Sequence, residues 1–340
     1  MLQNDPLRPT PHPTTTPSSD HAARIAEICG VIHHGQHFLL TSHARPDGDS
    51  IGSQVAMALA LEYLGKTSRI VNRDPVPLAY RDLPGVDRID VAPAADGPCD
   101  ALFVMECGDL SRPGVSGLEA YCVVNIDHHL GNTLYGHVNW FDTSAAACVE
   151  MVIDIIDALG VPLTHGIATA VYLGLVTDTG LFRHRGTSAR SFAIARRCVE
   201  AGVEPSDMAR QIFDANSLGK LRLMGAMLDG MTLHADGALA VLSLDDALMT
   251  TTGATSDDLD GLVNLPLSVK EIQVVLLFKL HEGAHRASVR SKGDINVRDV
   301  AARFGGGGHR NAAGLDVPGT DLVARQAVID AVVEAIHAAS

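Results

Sequence analysis

Basic residues are in short supply here: 26 Lys and Arg face 40 Asp and Glu, a net charge of −14 with His neutral over 340 residues. A protein that coats nucleic acid shows a basic face or stripe. The chain as a whole has none, which excludes long duplex nucleic acid as its partner. An acidic protein can still handle small anionic molecules where bound cations supply local positive charge. No apolar run approaches the roughly 20 residues of a membrane span, so no membrane partner is expected. The six cysteines (Cys29, Cys99, Cys107, Cys122, Cys148, Cys198) form no C-x-x-C pair. That spread excludes a disulfide frame or zinc ribbon and fits free thiols in a reducing compartment, the cytoplasm. There is no internal repeat of solenoid spacing. Residues 1–19 read as a polar, disordered leader with Pro6, Pro9, Pro11, Pro13 and Pro17 and no apolar h-region of a signal peptide.

What is present reads as two domains, the prior for this length. From Asp20 to His33 the spacing predicts an amphipathic helix. A strand at Phe38–Thr41, a helix at Ser50–Leu64, and strands at Arg69–Val71, Ala101–Met105 and Tyr121–Ile126 follow. That alternation is the rhythm of a mainly parallel sheet in an α/β fold. Helices are expected at Ser144–Leu159, Ile167–Val176, Ser188–Ala201 and Ser206–Ala215. Residues 216–231 read as a connector helix between a first domain, 20–215, and a second, 232–340. In the second, strands are expected at Ala238–Leu244, Ile272–Leu280 and Ala284–Arg290. Helices are expected at Asp257–Asn264, at Val297–Phe304 and from Asp321 onward.

The chemistry concentrates where strands run out. His43-Ala44-Arg45-Pro46-Asp47-Gly48-Asp49 follows apolar Phe38-Leu39-Leu40. Pro46 and Gly48 supply a sharp turn, leaving an imidazole and two carboxylates to face one cavity, and Ser50 or Asp49 to cap the next helix. Asp127-His128-His129 repeats the arrangement after Val123–Ile126. Adjacent histidines point to different sides, so one can ligate a metal while the other meets substrate, and Asp127 can orient the ligating ring. Glu106, with Asp109 three residues on, follows Leu102–Met105, and Asp178 follows Leu173–Val176. Carboxylate and imidazole together suit Mn²⁺, with Mg²⁺, Co²⁺ or Zn²⁺ as alternatives. Two cations about 3.5–4 Å apart would clamp the attacking and leaving oxygens of a displacement at phosphorus. Metal-assisted phosphoester hydrolysis is therefore the expected reaction class. One of His33-His34, on a helix, reads as surface, and His12, His21, His234, His281 and His337 read in the same plain way.

The run Gly305-Gly306-Gly307-Gly308 precedes His309 and Arg310. Consecutive glycines let backbone amides approach a phosphate, and the plain alternative is a flexible hinge. The run lacks the G-K-[ST] ending of a P-loop, so nucleoside triphosphate binding of that kind is not expected.

These elements resemble those of the DHH phosphoesterase superfamily, in the order H-x-x-x-D-x-D, D-H-H, (T/G)-D-T-G and G-G-G-H-x-x-A-A-G. The resemblance runs over nearly the whole chain beyond residue 20. It is nearest to the oligoribonuclease/pAp-phosphatase (NrnA-like) branch, which joins a DHH domain to a smaller α/β DHH-associated C-terminal domain. It implies His43 and Asp47 on one metal; Asp49, His128 and Asp178 on the other; and Glu106 bridging both. Asp127 would support His128, and His129 would face the phosphate and leaving group. Arg290, Gly306, Gly307, Gly308 and His309 would bind substrate, which would lie in the cleft between the domains. The family usually carries Asp where this chain has Glu106, one methylene longer.

By that resemblance the substrates are short oligoribonucleotides and 3′-phosphoadenosine 5′-phosphate (pAp), and a homodimer is admitted. Cyclic dinucleotides or their linear products such as pApA form the second reading, with the same centre. A non-catalytic nucleotide sensor is the third, with Glu106 as the one feature in its favour. A processive exonuclease of the superfamily would be longer and more basic, and a pyrophosphatase would lack the G-G-G-H element.

Overall fold

The computed structural model describes residues 19–184, 186–214, 216–259, 261–281, 284–317 and 322–339. The leader reading, at 1–19, falls outside these but for Ser19. The chain divides into two compact units between Asp214 and Ala215.

The first unit carries helix α1 (Ser19–His34), then strand β1 (His37–Thr41), α2 (Gly48–Tyr63), β2 (Thr67–Asn72), β3 (Ile89–Val91), β4 (Ala101–Met105), β5 (Val123–Asp127) and β6 (Val138–Phe141). Helices α3 (Cys148–Ala158), α4 (His165–Asp178), α5 (Ala189–Glu200) and α6 (Pro205–Phe213) complete it. Its six strands are all parallel, in the order β3-β2-β1-β4-β5-β6. Strands β4 and β5 are buried at every position, as the middle of a parallel sheet requires. Phe38, Leu40, Phe103 and Met105 face the main core under the helices. Leu39, Leu102, Val104 and Val123 face a smaller core on the opposite side.

The connection pattern places the site. From β1 the chain winds outward to β2 and β3, then returns to lay β4 on the other side of β1. Where the order reverses, a crevice opens at the carboxyl ends of the strands. His43 follows β1 and Glu106 follows β4, one on each side of that switch point.

In the second unit, α7 (Leu218–Asp229) precedes β7 (Thr232–His234), β8 (Leu239–Leu244), α8 (Asp246–Thr252), β9 (Val274–His281) and β10 (Ala284–Ser291). Then come α9 (Val297–Arg303), β11 (Gly307–His309), β12 (Ala312–Val317) and α10 (Leu322–Ala339). The sheet order is β11-β12-β10-β9-β8-β7, antiparallel except for the β8–β9 pair. Leu223 and Met227 of α7 pack with Ala240 and Leu242 on one face of this sheet. Val300 of α9 and Val328 and Val332 of α10 pack on the other.

Two local expectations are corrected. The helix expected at Asp257–Asn264 is instead two 3₁₀ segments, Ser256–Leu259 and Leu262–Ser268. Gly261 sits between them at φ 77°, a left-handed position that ends a helix. The cap of α2 is neither Ser50 nor Asp49. Asp47 is extended there, and its Oδ1 accepts from Ser50 N at 3.0 Å.

Candidate active site

Four strand or helix ends and one helix start deliver the ionisable groups. Asp49, fully buried in the first turn of α2, is held by the start of α3: Cys148 N donates to its Oδ2 at 2.5 Å and Val149 N to its Oδ1 at 3.0 Å. That is a carboxylate set on a helix N-terminus, where backbone amides favour negative charge. Helices α2 and α4 cross closely enough to keep it there, since a Cβ on Gly174 would come within 2.6 Å of Asp49 Oδ1 and of Val149.

His128 lies at the centre. Its Nδ1 faces the Ala145 carbonyl at 3.0 Å, a bond that puts the proton on Nδ1 and leaves Nε2 as the atom able to ligate. That Nε2 lies 2.8 Å from Glu106 Oε1, 3.4 Å from Asp178 Oδ2 and 3.9 Å from Asp49 Oδ2. Despite the 2.8 Å approach, neither His128 Nε2 nor Glu106 Oε1 makes an aligned hydrogen bond, though both are buried. Two buried polar atoms aimed past each other, among further carboxylates, fit a shared cation better than a mutual bond. The ligand atoms of Asp49, His128 and Asp178 lie within 4.8 Å of one another, as do those of Glu106, His128 and His129. His43 shows the same ring arrangement: Nδ1 meets the Ala44 carbonyl at 3.0 Å, and Nε2 lies 3.5 Å from Asp47 Oδ2. The donor set is imidazole and carboxylate, suited to a divalent cation.

The role of Asp127 differs from expectation. It supports His129, not His128: Oδ1 accepts from His129 Nδ1 at 3.0 Å, and Oδ2 accepts from Asn132 Nδ2 at 2.7 Å. The backbone carbonyl of Ala145 does the work expected of Asp127 on His128. Asn132 is the residue that sequence reasoning missed; it sits in a loop after D-H-H with no spacing signal. Asp109 is no substitute for Glu106, because its Oδ1 accepts from Ser111 N at 2.9 Å in an exposed turn. Glu106 itself has φ 62°, the left-handed region. Such a conformation in a non-glycine residue is costly and gathers at functional sites.

Crowded charge shifts the protonation of these groups. Burial, then Glu106, raises Asp178 to about 6. Burial, then Glu106 and Asp178, raises Asp49 well above the carboxylate range. Burial would lower His128, but Glu106 and Asp178 outweigh it and raise the ring to about 9. For Asp47, burial acts upward, and the bonds from His43 and Ser50 prevail, leaving it near 2. Asp127 is the main cause that raises His129. Without a cation the cluster therefore takes up protons where a metal would sit.

In the second unit, Arg290 of β10 pairs in register with Ala312 of β12, which pairs with position 309 of β11. The two positions thus share one row across three strands. The side chain of His309 lies outside the described residues. Gly307 and Gly308 are strand residues of an edge hairpin, not a hinge. A Cβ on Gly306 or Gly308 would strike the backbone of β12, whereas one on Gly307 would meet nothing within 4 Å.

Residues 37–175 match the model of the DHH family, N-terminal domain, and residues 237–338 match the DHHA1 domain. Over 91% of its length the chain is 33% identical to the bifunctional oligoribonuclease and PAP phosphatase NrnA of Thermus thermophilus, covering 93% of that protein. The chain belongs to the DHH family. It is a phosphoesterase by that membership. The protein of the same name from Bacillus subtilis is 27% identical over 82% of this chain and 88% of its own. The fold is shared with an exopolyphosphatase-related protein of Bacteroides fragilis, at a TM-score of 0.86 and 24% identity, covering 92% of this chain and 96% of that one.

Proposed function

We propose that this chain hydrolyses short oligoribonucleotides to mononucleotides and pAp to AMP, using two divalent cations, Mn²⁺ before Mg²⁺ or Co²⁺. The observation that carries this reading is the convergence of Asp49, Glu106, His128 and Asp178 around unpaired ligand atoms at the sheet's switch point. The substrate class comes from the relatives named for it. His43 and Asp47 are assigned to one cation, Asp49, His128 and Asp178 to the other, and Glu106 to both. Bound there, the cations would lower the pKa of water and neutralise charge on the phosphoryl oxygens. His129, with Nδ1 held by Asp127 and its side chain 47% exposed, keeps Nε2 for the phosphate or the leaving oxygen. A ring oriented in this way can deliver a proton there.

Residues 20–215 form the catalytic domain in this reading, 216–231 the connector, and 232–340 the substrate-binding domain with Arg290, Gly306, Gly307, Gly308 and His309. The cytoplasm is the proposed compartment, supported by six free cysteines. Among the described residues no helix is long and apolar enough to cross a membrane. The test is a rate panel with Mn²⁺: pAp, RNAs of two to five residues, linear pApA, cyclic dinucleotides and pyrophosphate. Fastest turnover of pAp or the short RNAs is expected. Preference for a cyclic dinucleotide would replace the substrate and keep the centre. Tight nucleotide binding without turnover would make the chain a sensor.

A further inference from the structure

Immediately after Asp178 the backbone does something unusual. Gly180, Leu181 and Phe182 have φ 54°, 60° and 61°, three consecutive residues in the left-handed region, two of them not glycine. A side chain beyond glycine is disfavoured there, so neighbouring bonds must impose the turn. Thr179, buried, supplies them. Its Oγ1 donates to Leu175 O at 2.6 Å and accepts from Phe182 N at 3.1 Å, and its carbonyl accepts from Arg183 N and His184 N, both at 2.9 Å. His184 Nδ1 donates back to Asp178 O at 2.8 Å. The segment is thereby locked to the end of α4 that carries Asp178.

The lock fixes the backbone that carries Phe182. Phe182 packs its inner side against the main core, and its ring stacks on Phe192 of α5, with centroids 4.8 Å apart and planes at 24°. One face of Phe192 is taken by this stack, yet the residue is 56% exposed. Aromatic residues make up 4% of the chain, and Phe192 is the one phenylalanine among the exposed large apolar side chains of the described residues. Arg183, exposed and next in sequence to Phe182, uses Nε on Gly180 O at 2.8 Å. A partly exposed aromatic stack whose first ring lies four residues after a phosphoesterase carboxylate, with an arginine next in sequence, is the chemistry that takes up an unpaired nucleobase and its adjoining phosphate.

We propose that the Phe182–Phe192 stack is a platform for a nucleobase of the substrate, with Phe192 as the residue that separates nucleotides from base-free phosphodiesters. It rests on the phosphoesterase reading above and extends it to how the substrate is chosen. Stacking a base on an aromatic side chain favours its binding, and Thr179 fixes the turn that carries Phe182 before substrate arrives.

The experiment compares kcat/KM for a diribonucleotide with that for the corresponding abasic phosphodiester, which carries hydrogen in place of each base, in Mn²⁺, for wild type, Phe192→Ala and Phe192→Tyr. The ratio of the two is expected to fall at least about fivefold in Phe192→Ala, mainly through the KM of the dinucleotide, and to recover in Phe192→Tyr. An unchanged ratio, with wild type cleaving both substrates, would overturn the platform and leave the proposed function standing. So would an altered sedimentation coefficient in Phe192→Ala, which would assign the patch to a second copy of the chain. Wild type that cleaved the base-free ester but no nucleotide would instead refute the proposed substrate, and the platform with it.

Discussion

At the scale of single residues, Glu106 carries the most. Its carboxylate lies 2.8 Å from His128 and 3.2 Å from His129, reaching both rings from a left-handed backbone. Replacement by Asp withdraws the oxygens by about 1.5 Å and keeps the charge. Glu106→Asp is expected to keep activity within about tenfold, whereas Glu106→Ala should lose more than about 100-fold in kcat, beyond the usual cost of an outer-shell change. Steady-state rates on pAp decide it, and an active Ala variant would move the shared carboxylate elsewhere. Asp47 separates two roles that one side chain combines. Asp47→Asn retains an N-cap acceptor and loses the charge, so its melting temperature should stay near wild type while its activity falls. Asp47→Ala should lose about 1 kcal/mol of stability as well. Equal melting of all three proteins would contradict the cap.

At the scale of elements, the site depends on how tightly α2, α3 and α4 meet. Gly174→Ala would press a methyl against Asp49 and Val149. Overpacking of this kind costs about 1–3 kcal/mol, and here it would also displace a carboxylate assigned to the cation. The expected outcome is a lower denaturation midpoint together with weaker Mn²⁺ binding; loss of stability alone would show that Asp49 does not move. This is also the scale at which the sequence was least legible. Strands β4 and β5 announce themselves by unbroken apolar runs, and the acids that follow them are visible as misfits in a core. The end strand β6 is four residues long with one fully buried side chain, Trp140. Strands β11 and β12 are built mostly of Gly and Ala, so neither shows a β-forming composition. The D-H-H motif announced two histidines and an acid, but not which ring the acid would hold, because that depends on where Ala145 arrives and on how the loop after the motif turns Asn132 back onto Asp127.

At the scale of the whole molecule, an acidic protein gathers its active-site charge into one crevice and leaves cations to balance it. Asp178 must lose a proton held to about pH 6 before it can ligate, and His128 one held to about pH 9. Metal binding therefore releases protons, and Mn²⁺ affinity should climb as pH rises through 6 and onward toward 9. Calorimetric titrations in buffers of different ionisation enthalpy would register that release; an affinity flat across this range would contradict the assignment of both ligands. The central claim is more direct than any of these, namely that the Asp49–Glu106–His128–Asp178 cluster hydrolyses nucleotide phosphoesters. Release of AMP from pAp in Mn²⁺, followed for wild type and Asp178→Asn, tests it in one measurement. Steady turnover by wild type and a loss of at least about 100-fold in Asp178→Asn is the predicted result, and equal rates from the two proteins would contradict the account.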